Sequence, residues 1–228
     1  MFERVVLIIN MIDRGIMAAK ILGIEGLTRS LYYSWKYGRR FDDFVVGKNV
    51  LTRIDRSAEV EIDSRFVMGA AQFPASNGNL ENSKIEIDSG ATFTVSGKKG
   101  RAVIGPGSVV YVSGEFSIGS SYFNSNARIV CNNRISIGDN CAIAWNVQLI
   151  DNDQHTVRID GEPKHNTGPI VIEDNVWIGH DVTIKKGVRV GSGSVVASNS
   201  VLTDDVPPET LVAGIPATVL REDVEWSN

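Results

Sequence analysis

A chain of 228 residues, 43% hydrophobic and 22% charged, holds enough apolar material for one good-sized core or two modest ones. Its net charge of −4 offers nucleic acid no broad cationic surface and argues against that class of partner. Twenty-two glycines beside an aromatic fraction of 7% suit a fold of tight, repeated turns; the two cysteines, Cys131 and Cys141, lie in apolar-periodic segments and read as buried, unbonded thiols, which points to the cytosol.

In chain order, residues 3–36 read as helical, because Leu7, Ile8, Met11, Ile12 and Ile16 recur at roughly helical spacing. The apolar run Val5, Val6, Leu7, Ile8, Ile9 is cut by Asp13 and Arg14, far short of the ~20 residues of a membrane span, and no small-residue cleavage site accompanies it. Residues 1–41 carry seven Lys and Arg against three Asp and Glu, a charge of +4 that leaves −8 for the remainder. Two readings stay open for this segment. It packs on the main domain or on a partner subunit, or it lies on a membrane surface, drawn by its basic residues and apolar face.

Residues 42–221 are governed by a six-residue period. Ile54, Val60 and Phe66 form one set, Ile87 and Phe93 a weaker pair, then Ile104, Val110 and Phe116, then Ile137, Ile143 and Leu149. The register slips between sets, as bulges or loops at corners would cause. From Ile172 the period runs without a gap through Ile178, Ile184, Val190, Val196 and Leu202, and a second small or aliphatic residue follows each by four: Val176, Val182, Val188, Ser194, Ser200, Val206. An α-helix of 3.6 residues per turn carries every sixth residue to a different side, and a single strand does not run through six such repeats in a compact domain. Short strands joined by sharp corners fit, with Gly, Asn or Asp taking the corner conformations other residues resist. Three units make one triangular coil, and stacked coils bury a continuous aliphatic core. The expected fold is therefore mainly β, a parallel β-helix behind an N-terminal helical segment, with residues 222–228 as a tail. Residues 151–169 interrupt the repeat with a long polar insertion holding two of the three histidines, and such insertions are where function tends to sit.

Ile137-Gly-Asp-Asn-Cys141, Asp151-Asn-Asp-Gln-His155, Val176-Trp177-Ile178-Gly179, Ser200 to Pro208 and Ala213-Gly-Ile-Pro-Ala217 occur in that order. This ordered set resembles the hexapeptide-repeat acyltransferases, and more narrowly the galactoside and maltose O-acetyltransferase branch with its relatives in capsule and colanic-acid biosynthesis. The resemblance runs from about Ser117 to Arg221. It implies a left-handed β-helix, a homotrimer, and acetyl-CoA lying in a groove between subunits. It implies His155 as the catalytic base, after one extra loop residue. It also implies Asn124 as an acceptor contact, Trp177 as groove lining, the backbone at His180 and Ser198 as contacts to the thioester and pantetheine, and Arg221 near the nucleotide phosphates. Many relatives have Thr-Lys-Asp where this chain has Thr203-Asp204-Asp205, so the usual phosphate lysine is missing and Lys185, Lys186 or Arg221 is left to replace it.

Acyl transfer to a sugar hydroxyl needs a base active near neutral pH, and an unperturbed histidine titrates at about 6.5. His155 would take the acceptor proton and pass it to the departing CoA thiolate, with a backbone N–H near His180 receiving the oxyanion. His165 reads as a solvated or intersubunit loop residue, and Asn126 competes with Asn124 for the acceptor role. The expected enzyme is an acetyl-CoA-dependent acetyltransferase for a saccharide, nucleotide-sugar or lipid-linked sugar, O-acetylation favoured over N-acetylation. It would serve surface polysaccharide synthesis in the cytoplasm or at the inner membrane face. Two other classes compete: a non-catalytic β-helix scaffold, and a γ-carbonic-anhydrase-like zinc enzyme, for which the three histidines lack the spacing.

Overall fold

The structure, a computed structural model, describes residues 24–69, 82–97 and 100–227. A helix over residues 24–37 leads into a left-handed parallel β-helix of three faces. The first face stacks Phe44–Val46, Arg65–Met68, Arg101–Ile104, Tyr122–Phe123, Ala142–Ile143, Trp177–Ile178, Val195–Val196 and Leu211–Gly214. The second stacks Val50–Ile54, Ser83–Ile87, Val109–Val112, Arg128–Cys131, Gln148–Ile150, Thr183–Lys185 and Val201–Leu202. The third stacks Glu59–Ile62, Thr92–Val95, Glu115–Ile118, Arg134–Ile137, Ile170–Ile172 and Arg189–Val190. The expected helix over 3–36 is seen from residue 24 onward, and its apolar positions Leu7 to Ile16 lie outside the described residues.

The six-residue period becomes this architecture through register. Ile172 pairs with Val190, Ile178 with Val196 and Ile184 with Leu202, so each residue meets its counterpart three hexapeptides later, one coil up. All six repeat residues from Ile172 to Leu202 are buried, and the second positions from Val176 to Val206 fill the corners beside them. The two serines in that second series are satisfied where they are buried: Ser194 Oγ donates to Pro207 O at 2.7 Å, and Ser200 Oγ accepts from Gly214 N at 3.2 Å. Lower coils use larger fillers, with Phe44, Phe66, Phe93 and Phe116 in consecutive ring contact at 5.1–5.3 Å.

Corners between the first and second faces are built on one conformation. Asn126, Asn146, Asp181 and Asn199 stack there with φ between 56° and 61°, the left-handed region Asn and Asp tolerate best. Each donates its N–H to the coil below: to Pro106 O, Ser125 O, Trp145 O and His180 O at 2.9–3.1 Å. Both ends of the prism are closed. On the helix, Ser30 Oγ and Ser34 Oγ each accept from and donate to the edge strand, at Val46 and Phe44, over 3.0–3.2 Å. Gly26 lets the helix approach that closely, since a Cβ there would meet Lys48 N at 2.9 Å. At the far end Ala217–Arg221 folds back antiparallel on Leu211–Gly214.

Candidate active site

Stacking places several predicted site residues on one edge. Asn124, Ala144, Gly179 and Ala197 each follow a strand of the first face and donate their N–H to the next coil, so Asn124, His180 and Ser198 come within successive turns of the same corner. His180 N–H donates to Ser198 Oγ at 3.2 Å, a long contact to an exposed, rotatable hydroxyl that an incoming oxygen can displace. Its imidazole stacks on Trp145 with ring centroids 4.8 Å apart and planes within 2°. His180 Nδ1 and Asp181 Oδ2 lie 2.8 Å apart, and Asn146 Nδ2 donates to Asp181 Oδ1 at 3.0 Å. His180 first, and then Asn146, hold the Asp181 carboxyl below its usual range.

His155 stands at a different corner, where the second face gives way to the third. Asp151 begins the insertion with its carboxylate fully buried, accepting the N–H groups of Asn132 and Asn133 at 2.8 Å each. The two limbs then zip together: Asn152 bridges Thr167, Asp153 N–H donates to Asn166 O at 2.8 Å, and Arg158–Ile159 pairs antiparallel with Glu162–Pro163. Asp160 and Gly161, with φ of 53° and 83°, supply the two-residue turn at the tip. Lys186 Nζ reaches Asp153 Oδ2 at 3.1 Å and His165 O at 2.7 Å, while Lys185 Nζ lies 3.5 Å from Asp153 Oδ1. Burial raises the Asp153 carboxyl, but Lys186 and Lys185 outweigh it and hold the group below its ordinary range. Lys186, expected at the cofactor, thus ties down both limbs of the loop. His155 and His165 are both exposed, on opposite limbs.

Within one chain the site residues therefore flank the second face instead of meeting. Asn124 and His180 border it on one side and the His155 loop on the other, separated by strands of three or four residues, about 10 Å at ~3.3 Å per residue. Trp177 lies apart on the outer surface of the first face, 46% exposed, in register between Ala142 and Val195. The tail returns to it: Val224 N–H donates to Glu209 O at 2.8 Å, Trp226 Nε1 donates to Asn175 O at 2.7 Å, and the two indoles are 6.2 Å apart. Arg221 is exposed on the terminal hairpin, its guanidinium turned to Leu220 O. Sequence reasoning overlooked Trp145, Asp181 and Trp226, although Trp145 holds the same place after Ile143 that His180 holds after Ile178.

Cys131 and Cys141 are free and buried, and burial pushes both thiols up, Asp151 adding to the effect on Cys131. That chemistry leaves them as core. Among the described residues no three His, Cys, Asp or Glu side chains cluster to hold a metal. Nor is any helix among them long and apolar enough to cross a membrane.

Residues 169–204 match the family described as bacterial transferase hexapeptide (six repeats). The galactoside O-acetyltransferase of Escherichia coli (strain K12) is 41% identical over 117 residues, 47% of this chain and 57% of that protein. A hexapeptide-repeat acetyltransferase of Vibrio cholerae O1 biovar eltor, solved in complex with acetyl coenzyme A, is 41% identical over 47% of this chain and 60% of that one, with a TM-score of 0.43. A second structure of that acetyltransferase aligns at 32% identity over 57% of this chain and 70% of that one, with a TM-score of 0.42. The chain spans less than two thirds of the E. coli protein's length. The unbroken hexapeptide coils and the family match coincide across residues 169–204: this stretch carries the hexapeptide repeat of the bacterial transferases.

Proposed function

We propose that the protein transfers acetyl from acetyl-CoA to a saccharide hydroxyl, with His155 as general base. The observation that carries this reading is His155 on a clamped loop along one edge of the second face, opposite Asn124 and the His180 amide along the other. An acceptor lying on that face meets a base at one side and hydrogen-bond donors at the other. His155 removes the hydroxyl proton as the oxygen attacks the thioester carbonyl, the His180 N–H receives the oxyanion, and the thiolate leaves with the proton. Ser198, Lys186 and Arg221 are the further CoA contacts in this reading. A homotrimer completes the groove by setting Trp177 of one subunit near the loop of the next. The outer side of the helix over 24–37 exposes Ile24, Leu31 and Trp35 near Lys36, Arg39 and Arg40, which supports contact with an anionic membrane surface where a lipid-linked acceptor would reside.

A coupled thiol-release assay over neutral, acidic, amino, nucleotide-linked and lipid-linked sugars tests the proposal. Turnover with a hydroxyl acceptor supports it. An amino sugar as the sole efficient acceptor makes the enzyme an N-acetyltransferase, and absence of acetyl-CoA binding assigns the β-helix a scaffold role.

A further inference from the structure

We propose that the acceptor is an acidic saccharide, and that Arg128 selects it by binding its carboxylate. This rests on the second face being the acceptor side. A cleft of about 300 Å³ is cut into that face, lined by Asn126, Arg128, Asn146, Gln148 and Asp181. That volume lies at the lower end of the range for small-ligand pockets, about 300–1,000 Å³. Its place is set by the fold. Asn126 and Arg128 come two and four residues after Asn124, and Gln148 opens the strand that runs into the His155 loop. The cleft therefore opens beside the candidate acceptor contact, on the face that leads to the candidate base.

Its chemistry is specific. Two charges line it. Asp181 has both oxygens engaged, one by Asn146 Nδ2 and the other by His180 Nδ1. Arg128 is exposed and forms no ion pair among the described residues, whereas Arg189, at a comparable outward position on the third face, is paired with Glu173. An unpaired guanidinium presents a planar fork of N–H donors that matches a carboxylate in bidentate fashion. Around it stand the amides of Asn126 and Gln148, which can donate to and accept from sugar hydroxyls. Next to Asn146 in the chain, the indole of Trp145, 45% exposed and held flat against His180, offers an apolar plane to the C–H face of a pyranose. A cation and amides in one small cleft, with an aromatic plane on the residue preceding Asn146, suit a sugar acid better than a neutral sugar, which would leave Arg128 unmatched.

The test pairs uronate- and sialate-containing oligosaccharides with their carboxyl-reduced forms. Each is measured for direct binding by calorimetry and for acetyl transfer, using the full chain and its Arg128→Gln and Arg128→Lys variants. Thermal midpoint and oligomeric mass serve as the folding controls. The wild-type protein is expected to prefer the acidic member at least tenfold in kcat/KM, mainly through KM. Arg128→Gln is expected to abolish that ratio and Arg128→Lys to retain part of it. Equal use of both members, binding of neither, a preference surviving Arg128→Gln, or a stronger preference for nucleotide diphosphate-sugars overturns the proposal. Acidic binding that is lost in Arg128→Gln, with no transfer to any acceptor, upholds the cleft and overturns the acetyltransferase reading instead.

Discussion

His155 follows Gln154, whose φ of 60° turns the loop sharply, and Gln154 N–H donates to Asn152 Oδ1. The side chain is thus presented on a short, braced stretch. A positioned acid–base group typically contributes about 10²–10⁴-fold in rate, so His155→Ala is expected to lower kcat by that order while leaving acetyl-CoA affinity nearly unchanged. His165→Ala removes the same side chain from the opposite limb and should slow transfer less than tenfold. The reverse ranking in steady-state kinetics would move the base to His165. Asp151 offers a stability counterpart. Asp151→Ala strips a buried acceptor from the Asn132 and Asn133 amides and should cost about 2–4 kcal/mol in chemical denaturation. Individual residues were legible in proportion to how far they broke the repeat. His155 interrupts it and stood out, while Trp145 sits inside it and passed as filler. The contacts of Lys186 to Asp153 and His165 were not legible, because those partners lie 33 and 21 residues earlier in the chain and meet it only once the coil closes.

The loop and the corners are the elements that hold the proposed site, and each has its own weak point. The loop is clamped by a partly exposed ion pair, which contributes little in isolation but holds two limbs at once. Lys186→Gln should lower kcat severalfold with little change in melting temperature, and added salt should mimic it in the wild-type enzyme. Asp153 has a depressed folded value, so the clamp is fully present above the ordinary carboxylate range and is lost as pH falls through that depressed value, below about 4. A pH–rate profile between 6 and 9 should therefore carry no contribution from it. At the corners, Asn199 has φ 61°. Replacing it by Ala should destabilise by about 1–2 kcal/mol and by Gly much less, as read from denaturant midpoints. The hexapeptide pattern made these corners visible as a class. The insertion's internal ribbon was not visible, since its two strands are two residues each and lack apolar alternation.

At the scale of the whole molecule, the proposed site is divided: His155, the proposed base, sits at one corner and Trp177 on another face, and the proposed homotrimer is the way to bring them together. Light scattering should give three times the 24.8 kDa chain mass. A monomer that still turns over acetyl-CoA would show that the second face works alone. The coil architecture was readable from Ile172 onward because every sixth side chain obeys a single steric rule. The return of Trp226 to Asn175 was not, because those residues lie 51 apart and follow no period in the sequence. One consequence of the capped ends concerns polymerisation. Stacked parallel coils are a template that any free edge can extend at about 4.8 Å per added strand, as in a growing fibril. Here Ser30 and Ser34 occupy the backbone groups of Phe44 and Val46 that an incoming strand would need. Transient lifting of that one helix would thus be the nucleating event for end-to-end growth. Shelf life at high concentration would then be governed by the opening rate of residues 24–37, with the stability of the prism itself playing no part.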